Sequence, residues 1–233
     1  QRYLARMVAA DLTHVVLETT SHGLAQYRVD ACEFDIGAIT NITHEHLDQH
    51  GSFENYCAAK GRLFQSLERT LSKPQGNPRL SVLNRDDSSY EYLSRIALGP
   101  QVSYGFDGEA DIQADSVKYS PQGIHFDAVG QDFRVPVNSP LVGEYNASNC
   151  LAALTAAVRG LGIAPEIAAR GIAALTGIPG RMERIGLGQS FSAIVDFAHT
   201  PNALRVAIET VRKMTDKQII LIFGSAGLRD KEK

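Results

Sequence analysis

The stretch IGAITNITHEHLDQHGSFENYCAAKGRLFQSLERTLSKPQGNPRLSVLNRDDSSYEYLSRIALGPQVSYG, residues 36–105, alternates two periodicities and thereby decides the fold. IGAITNI (36–42), LSVLN (80–84) and VSYG (102–105) are short, mostly apolar runs of strand length. Between them, residues 52–71 and 88–96 carry apolar positions at helical spacing. Strands buried on both faces read as unbroken apolar runs, and a crossover helix between two strands makes the pair parallel. The prediction is an α/β fold with a mostly parallel central sheet flanked by helices.

Upstream, residues 1–10 read as an amphipathic helix and THVVLE (13–18) as a further buried strand ending in Glu18. Downstream, residues 111–137 change character. Alternating segments are separated by the turn sequences SPQG (120–123) and VGQD (129–132), which predicts a small antiparallel β meander. Helical spacing returns at 146–159 and 165–175. Gly-Ile-Pro-Gly (177–180) then marks a boundary, dividing the chain into a domain over 1–179 and the opening of a second over 180–233. In the second, strands are predicted at 191–196 and 219–223 around a helix at 201–214, with GSAG following at 224–227. A parallel strand at 219–223 calls for a covering helix and a further strand, so the chain reads as a fragment.

Composition narrows the function classes. The chain has 233 residues, 44% hydrophobic and 21% charged, which excludes disorder as its general state. Lys and Arg number 23 against 26 Asp and Glu, a net charge of −3, whereas a nucleic-acid binder would carry a basic excess. No apolar run approaches the roughly 18 residues that span a bilayer, and the start lacks the form of a signal peptide. No membrane insertion is expected. Cys32, Cys57 and Cys150 are far apart and odd in number, fitting neither a disulfide framework nor a zinc site. A reducing cytoplasm is the expected location.

Several residues invite a chemical reading beside a plain one. Glu18, followed by Thr-Thr-Ser-His-Gly, would stand at the carboxyl end of a strand, where open parallel sheets bind ligands. It is a magnesium ligand or a solvated acid. His22, His44, His46 and His50 cluster in sequence, and THEHLDQH (43–50) follows a predicted strand. That is a metal-ligand set or a loop of solvated histidines. The zinc-protease motif would need a histidine where Asp48 stands, and the zinc-deaminase Pro-Cys-x-x-Cys does not follow. Lys60 is a solvated helix lysine, or an amine that adds carbon dioxide and becomes an oxygen ligand for a hard cation. Asn146 and Asn149 in GEYNASN (143–149) are helix caps or readers of a base edge. Arg181 in GRMER (180–184), with Asp196 and His199 in VDFAHTPNAL (195–204), suits phosphate recognition or ordinary surface ion pairs. No G-x-x-x-x-G-K-[ST] loop occurs, so a phosphate-transfer enzyme would carry its P-loop outside this chain.

In order, LETTSHGLAQYRVD, ITNITHEHLDQHGSFENYCAAKGRLF, NRDD, GEYNASN, GIPGRMER, VDFAHTPNAL and FGSAGLRDK resemble the Mur ligases of peptidoglycan synthesis. The resemblance runs through nearly the whole chain and is weakest around 107–137. SHGLAQYRV and GRMER point to a member that extends UDP-N-acetylmuramoyl-L-alanyl-D-glutamate by a diamino acid, meso-diaminopimelate or L-lysine. The resemblance implies a cytoplasmic, monomeric, ATP- and Mg2+-dependent amide ligase. The substrate carboxylate attacks the γ-phosphate of ATP, and the incoming amine displaces phosphate from the resulting acyl-phosphate. Magnesium and cationic side chains would neutralise charge at the transferring group.

Position by position, Glu18, His46 and Lys60 resemble the family's catalytic metal-holding set, with Lys60 carbamylated. Thr20, Gln26 and Arg28 match positions that hold the UDP-muramoyl dipeptide. Asn146 resembles an adenine contact, and Arg181, Asp196 and His199 resemble the nucleotide contacts around the hinge. The second domain is implied to be Rossmann-like. GSAGLRDKEK departs from the family's GCGGDRDKGK at Ser225, Ala226, Leu228 and Glu232. The UDP-binding domain, the P-loop and the diaminopimelate-selecting Asp-Asn-Pro-Arg motif are expected outside the chain, which alone is expected to be inactive. The alternatives are a folylpolyglutamate synthase or cyanophycin-synthetase-like ligase, a metal hydrolase built on the His-rich loop, and a catalytically dead scaffold.

Overall fold

A computed structural model describes residues 2–42, 51–74, 76–106, 108–120 and 122–224. Strands β1 (Ile36–Ala38), β2 (Leu80–Asn84), β3 (Gln101–Gly105), β4 (Ile112–Ser120), β5 (Gly123–Gly130) and β6 (Phe133–Ser139) form one sheet in chain order. The first four are parallel, with Ala38 opposite Val82 and Val82 opposite Val102. The last two add the predicted antiparallel meander, Phe126 lying opposite Val137. The parallel β3–β4 pair lacks a crossover helix because β4 starts beside the end of β3, pairing Ile112 with Tyr104, and runs on beyond it. No return of the chain is needed there.

Helices α1 (Arg2–Ala9), α2 (Ser21–Ala25), α3 (Phe53–Leu67), α4 (Tyr90–Ile96), α5 (Glu144–Thr155) and α6 (Pro165–Ala173) accompany the sheet. A single π-helical turn, Ala156–Gly160, extends α5. Two apolar clusters cover opposite faces. Val82, Tyr104, Ile112, Phe126 and Val137 pack with Leu151 and Leu154 of α5. Ile39, Ile42 and Leu83 pack with Phe64 and Leu67 of α3 and Leu93 of α4. Every residue of β2 is buried, because Val82 enters one cluster and Leu83 the other. That two-sided burial is the physical content of its unbroken apolar run. Beyond the boundary, β7 (Glu183–Ile185) and β8 (Ala193–Val195) form an antiparallel hairpin, followed by α7 (Pro201–Met214).

Two predicted strands are corrected. Residues 13–18 form no ladder and are exposed, Val16 completely so. Residues 219–223 likewise lack ladder partners, and Ile222 is 91% exposed. An apolar, β-branched run becomes a strand only when a neighbour supplies hydrogen bonds and a buried face. Among the described residues β1 pairs with β2 alone, and nothing pairs with either of these two segments. The β7–β8 pairing was not foreseen in the sequence. Among the described residues, no helix is long and apolar enough to cross a membrane.

Candidate active site

Ser52 caps α3 by accepting the Asn55 N–H at 3.2 Å, and Glu54 favours the positive end of the helix dipole. Tyr56, Cys57, Phe64 and Leu67 form the buried stripe. Lys60 falls one turn after Tyr56 and one before Phe64, so helical spacing carries it onto this stripe. It is half-buried, with Nζ 5.9 Å from the centroid of the Tyr56 ring. Burial pushes its pKa below the ordinary lysine value, and the Glu18 carboxylate opposes that shift. The fold therefore brings Glu18 and Lys60 within electrostatic reach although Glu18 ends no strand. The plain reading of Lys60 as a solvated lysine does not describe its place.

The segment after Glu18 is bolted to α3. Thr20 accepts the Gly23 N–H at 3.0 Å and so caps α2. Arg62 of α3 donates to the Leu24 and Ala25 carbonyls at 3.4 and 3.2 Å and stacks on Tyr27 at 4.7 Å. Gln26 Nε2 and His22 Nε2 lie 2.7 Å apart. Thr20, Gln26 and Arg28 are thus gathered around one short helix, all exposed, with the Thr20 hydroxyl engaged as a cap. His46, with His44 and His50, lies outside the described residues, as does GSAGLRDKEK apart from Gly224. Among the described residues no group of three or more His, Cys, Asp or Glu is placed to hold a metal.

A second cluster forms where the predicted hinge meets the start of α5. Gly143 takes φ +99, where a Cβ would meet the Tyr145 ring at 2.8 Å. Asn146 is buried. Its Nδ2 donates to the Val142 carbonyl at 2.8 Å, and its Oδ1 accepts from Asn149 Nδ2 at 3.1 Å. Across the hinge, Asp196 accepts the Met182 and Ala198 N–H groups, each at 2.8 Å. Arg181 stacks on Phe197 at 4.7 Å, and the Phe197 and His199 rings meet edge-on at 5.1 Å. Burial raises the Tyr145 pKa; nearby Asp196 adds to the rise and Arg181 opposes it. Tyr145 thus links the two halves of the cluster, and only its position inside GEYNASN hinted at this. A cavity of about 270 Å3 opens beside it, lined by Tyr119, Gly143, Tyr145, Thr210 and Lys213 among others. The Lys213–Glu144 ion pair, 2.5 Å long, spans its rim.

The chain as a whole is similar to known proteins. The profile of the Mur ligase middle domain matches residues 1–157, and that of the Mur ligase glutamate ligase domain matches residues 180–233. The chain belongs to the Mur ligase family. It is 35% identical over 233 residues to the UDP-N-acetylmuramoyl-L-alanyl-D-glutamate–2,6-diaminopimelate ligase of Geobacillus thermodenitrificans, covering 100% of this chain and 47% of the relative. The enzyme of that name from Solibacter usitatus is 40% identical over 228 residues, covering 97% and 44%. A solved structure of a ligase of the same name superposes with TM-score 0.72 at 33% identity, over 92% of this chain and 43% of that one. MurF from Acinetobacter baumannii, at 23% identity and TM-score 0.69 over 81% and 40%, shares the fold. The chain spans about half the length of the curated relatives it matches.

Proposed function

We propose that this chain is the central part of a cytoplasmic, monomeric ligase that joins 2,6-diaminopimelate to UDP-N-acetylmuramoyl-L-alanyl-D-glutamate with hydrolysis of ATP. Two units carry the work, residues 1–179 and 180–233, meeting at Gly177–Gly180. The observation that carries the reading is the Glu18–Lys60 pair, held in a chain whose relatives of that name align along its whole length. The diamino acid is taken from those relatives' names; L-lysine is the competing amine.

The residues fit a hard cation. A lysine ammonium cannot ligate one, but burial favours the neutral amine, the form that adds carbon dioxide to give a carbamate. Glu18 and carbamylated Lys60 would then offer the oxygen donors that magnesium takes, with His46 as a further donor. Bound there, magnesium would offset charge on the transferring phosphoryl group. The chain's own residues do the positioning. Thr20, Gln26 and Arg28, ordered by α2, would hold the muramoyl dipeptide so that its carboxylate faces the γ-phosphorus. Asn146 would contact the adenine, while Arg181, Asp196 and His199 would order the nucleotide at the hinge. The carboxylate oxygen bonds to phosphorus as ADP leaves. The amine then bonds to the acyl carbon, expels phosphate and loses a proton.

The test is phosphate release by the full-length gene product. Release is expected only with ATP, Mg2+, the UDP-muramoyl dipeptide and diaminopimelate all present. Turnover without the muramoyl dipeptide, or with a folate in its place, would overturn the reading. Turnover with lysine but not diaminopimelate would correct the amine alone.

A further inference from the structure

The Asn-Arg-Asp-Asp turn at 84–87 has no role in the reaction above, yet its side chains take hold of a backbone from another segment. Asn84, the last residue of β2, donates from Nδ2 to the Thr40 carbonyl at 2.6 Å. Asp87 accepts the Ile42 N–H at 3.1 Å. Tyr104, in the neighbouring β3, donates its hydroxyl to the Ile39 carbonyl at 2.7 Å. Three side chains thus grip three backbone groups within four consecutive residues. The grip begins where the β1–β2 ladder stops, just past the pairing of Ala38 with Val82. Side chains therefore continue the hydrogen bonding that the three-residue strand cannot.

The clamp is itself braced. Asn84 Oδ1 accepts the Asp86 N–H at 3.0 Å, and Asp87 Oδ1 accepts both the N–H and the hydroxyl of Ser89, at 3.0 and 2.5 Å. Tyr104 is 0% exposed and Asn84 8%, so water is poorly placed to replace either bond. The gripped segment meets the site through packing. Ile39 and Ile42 share one buried cluster with Tyr56 and Cys57 of α3, and the Tyr56 ring underlies Lys60.

We propose that Asn84, Asp87 and Tyr104 are positioning residues, which fix residues 39–42 against the face of α3 that presents Lys60 and so set the geometry of the Glu18–Lys60 pair. The proposal rests on the ligase reading above. A displacement near 1 Å at a reacting group costs about 100-fold in rate, so a small relaxation of this segment is enough to matter.

The experiment compares Asp87→Ala, Asp87→Asn and Tyr104→Phe in the full-length gene product. Tyr104→Phe removes one hydroxyl and keeps the ring, so it stays folded. Val137→Ala in β6 serves as control, because it loosens the opposite cluster. All are assayed well below their unfolding temperatures for kcat, KM for ATP and the Mg2+ concentration giving half-maximal rate. Hydrogen exchange at the Ile42 amide is followed in parallel. Asp87→Ala and Tyr104→Phe are expected to lower kcat about 10- to 100-fold with the KM for ATP unchanged. They should also raise the Mg2+ requirement. Ile42 should exchange faster in Asp87→Ala, and Asp87→Asn, which keeps an acceptor oxygen, should recover part of both effects. The proposal is overturned if Ile42 exchanges faster while kcat and the Mg2+ requirement hold. It is equally overturned if Val137→Ala, at the same loss of stability, reproduces the kinetic change. A parent protein that releases phosphate with neither diaminopimelate nor lysine would remove the ligase reading first, and the proposal with it, before any variant is compared.

Discussion

A lysine on the buried stripe of a helix must find a partner, deprotonate or be modified, and Lys60 stands half-buried on such a stripe within reach of the Glu18 carboxylate. Burial drives it toward the neutral amine, while the Glu18 carboxylate resists. Truncating it should remove the chemistry without removing the fold, since the side chain is only half-buried and its Nζ lies 5.9 Å from the Tyr56 ring centroid. Lys60→Ala in the full-length gene product is therefore expected to lower kcat at least about 100-fold with the unfolding temperature little changed. Lys60→Glu restores an oxygen donor at nearly the same reach and should keep part of the activity. Stopped-assay phosphate release with both variants checks this, and an alanine variant as fast as the parent would end the carbamate role. Half of this was legible in the sequence. Spacing from Tyr56 and Phe64 puts Lys60 on the inner side of α3, whereas the approach of Glu18 depends on α2 docking through Arg62. Local periodicity has no access to such a contact.

Strands show the same division between what a pattern demands and what supplies it. β2 was legible because its five positions face two cores, and the meander because its turns punctuate an alternating pattern. Residues 13–18 carry an equally good strand pattern, but the pattern records a need for a ladder and says nothing of which strand provides it. The meander offers two tests of its own. Gly123 begins β5 at φ +144, and a Cβ there would lie 2.0 Å from the Ser139 carbonyl oxygen, a backbone atom that cannot step aside. Gly123→Ala should cost more than about 2 kcal/mol, read by denaturant unfolding. Nearby, Arg134 bridges Asp115 and Asp127 at 2.8 and 2.7 Å, holding the Asp115 carboxyl below its ordinary pKa. A carboxylate favoured by folding contributes its full stabilisation above its unfolded pKa, about 3.9, and loses it as the pH falls through the lower folded value. The unfolding temperature of Arg134→Gln should thus sit slightly below the parent's at pH 7, the pair being exposed. The gap should close as acidification below about pH 4 protonates the carboxyl in both. A gap that widened on acidification would contradict the assignment.

At the scale of the whole molecule, Asp196 is the group whose loss should be felt most just past Gly177–Gly180. Its two oxygens tie Met182, just past the hinge glycines, to Ala198 at the approach to α7. Met182 is buried at φ +48, a conformation that a side-chain-bearing residue holds only when its surroundings insist. The Lys213–Glu144 pair, by contrast, is exposed on both sides and worth little on its own. Asp196→Ala would leave two amides without their acceptor and release Met182 toward ordinary backbone angles. Cleavage within 177–182 by a nonspecific protease should accelerate, while the main unfolding transition, set by the two clusters around the sheet, should hardly move. Asp196→Asn keeps one acceptor oxygen and should fall between, and Lys213→Ala should leave cleavage at the parent rate. If Asp196→Ala resisted cleavage as well as the parent, the burial of Met182 rather than the carboxylate would be what holds the hinge. Asp196 would then be free to serve the nucleotide directly, and the two outcomes divide its role between architecture and ligand contact.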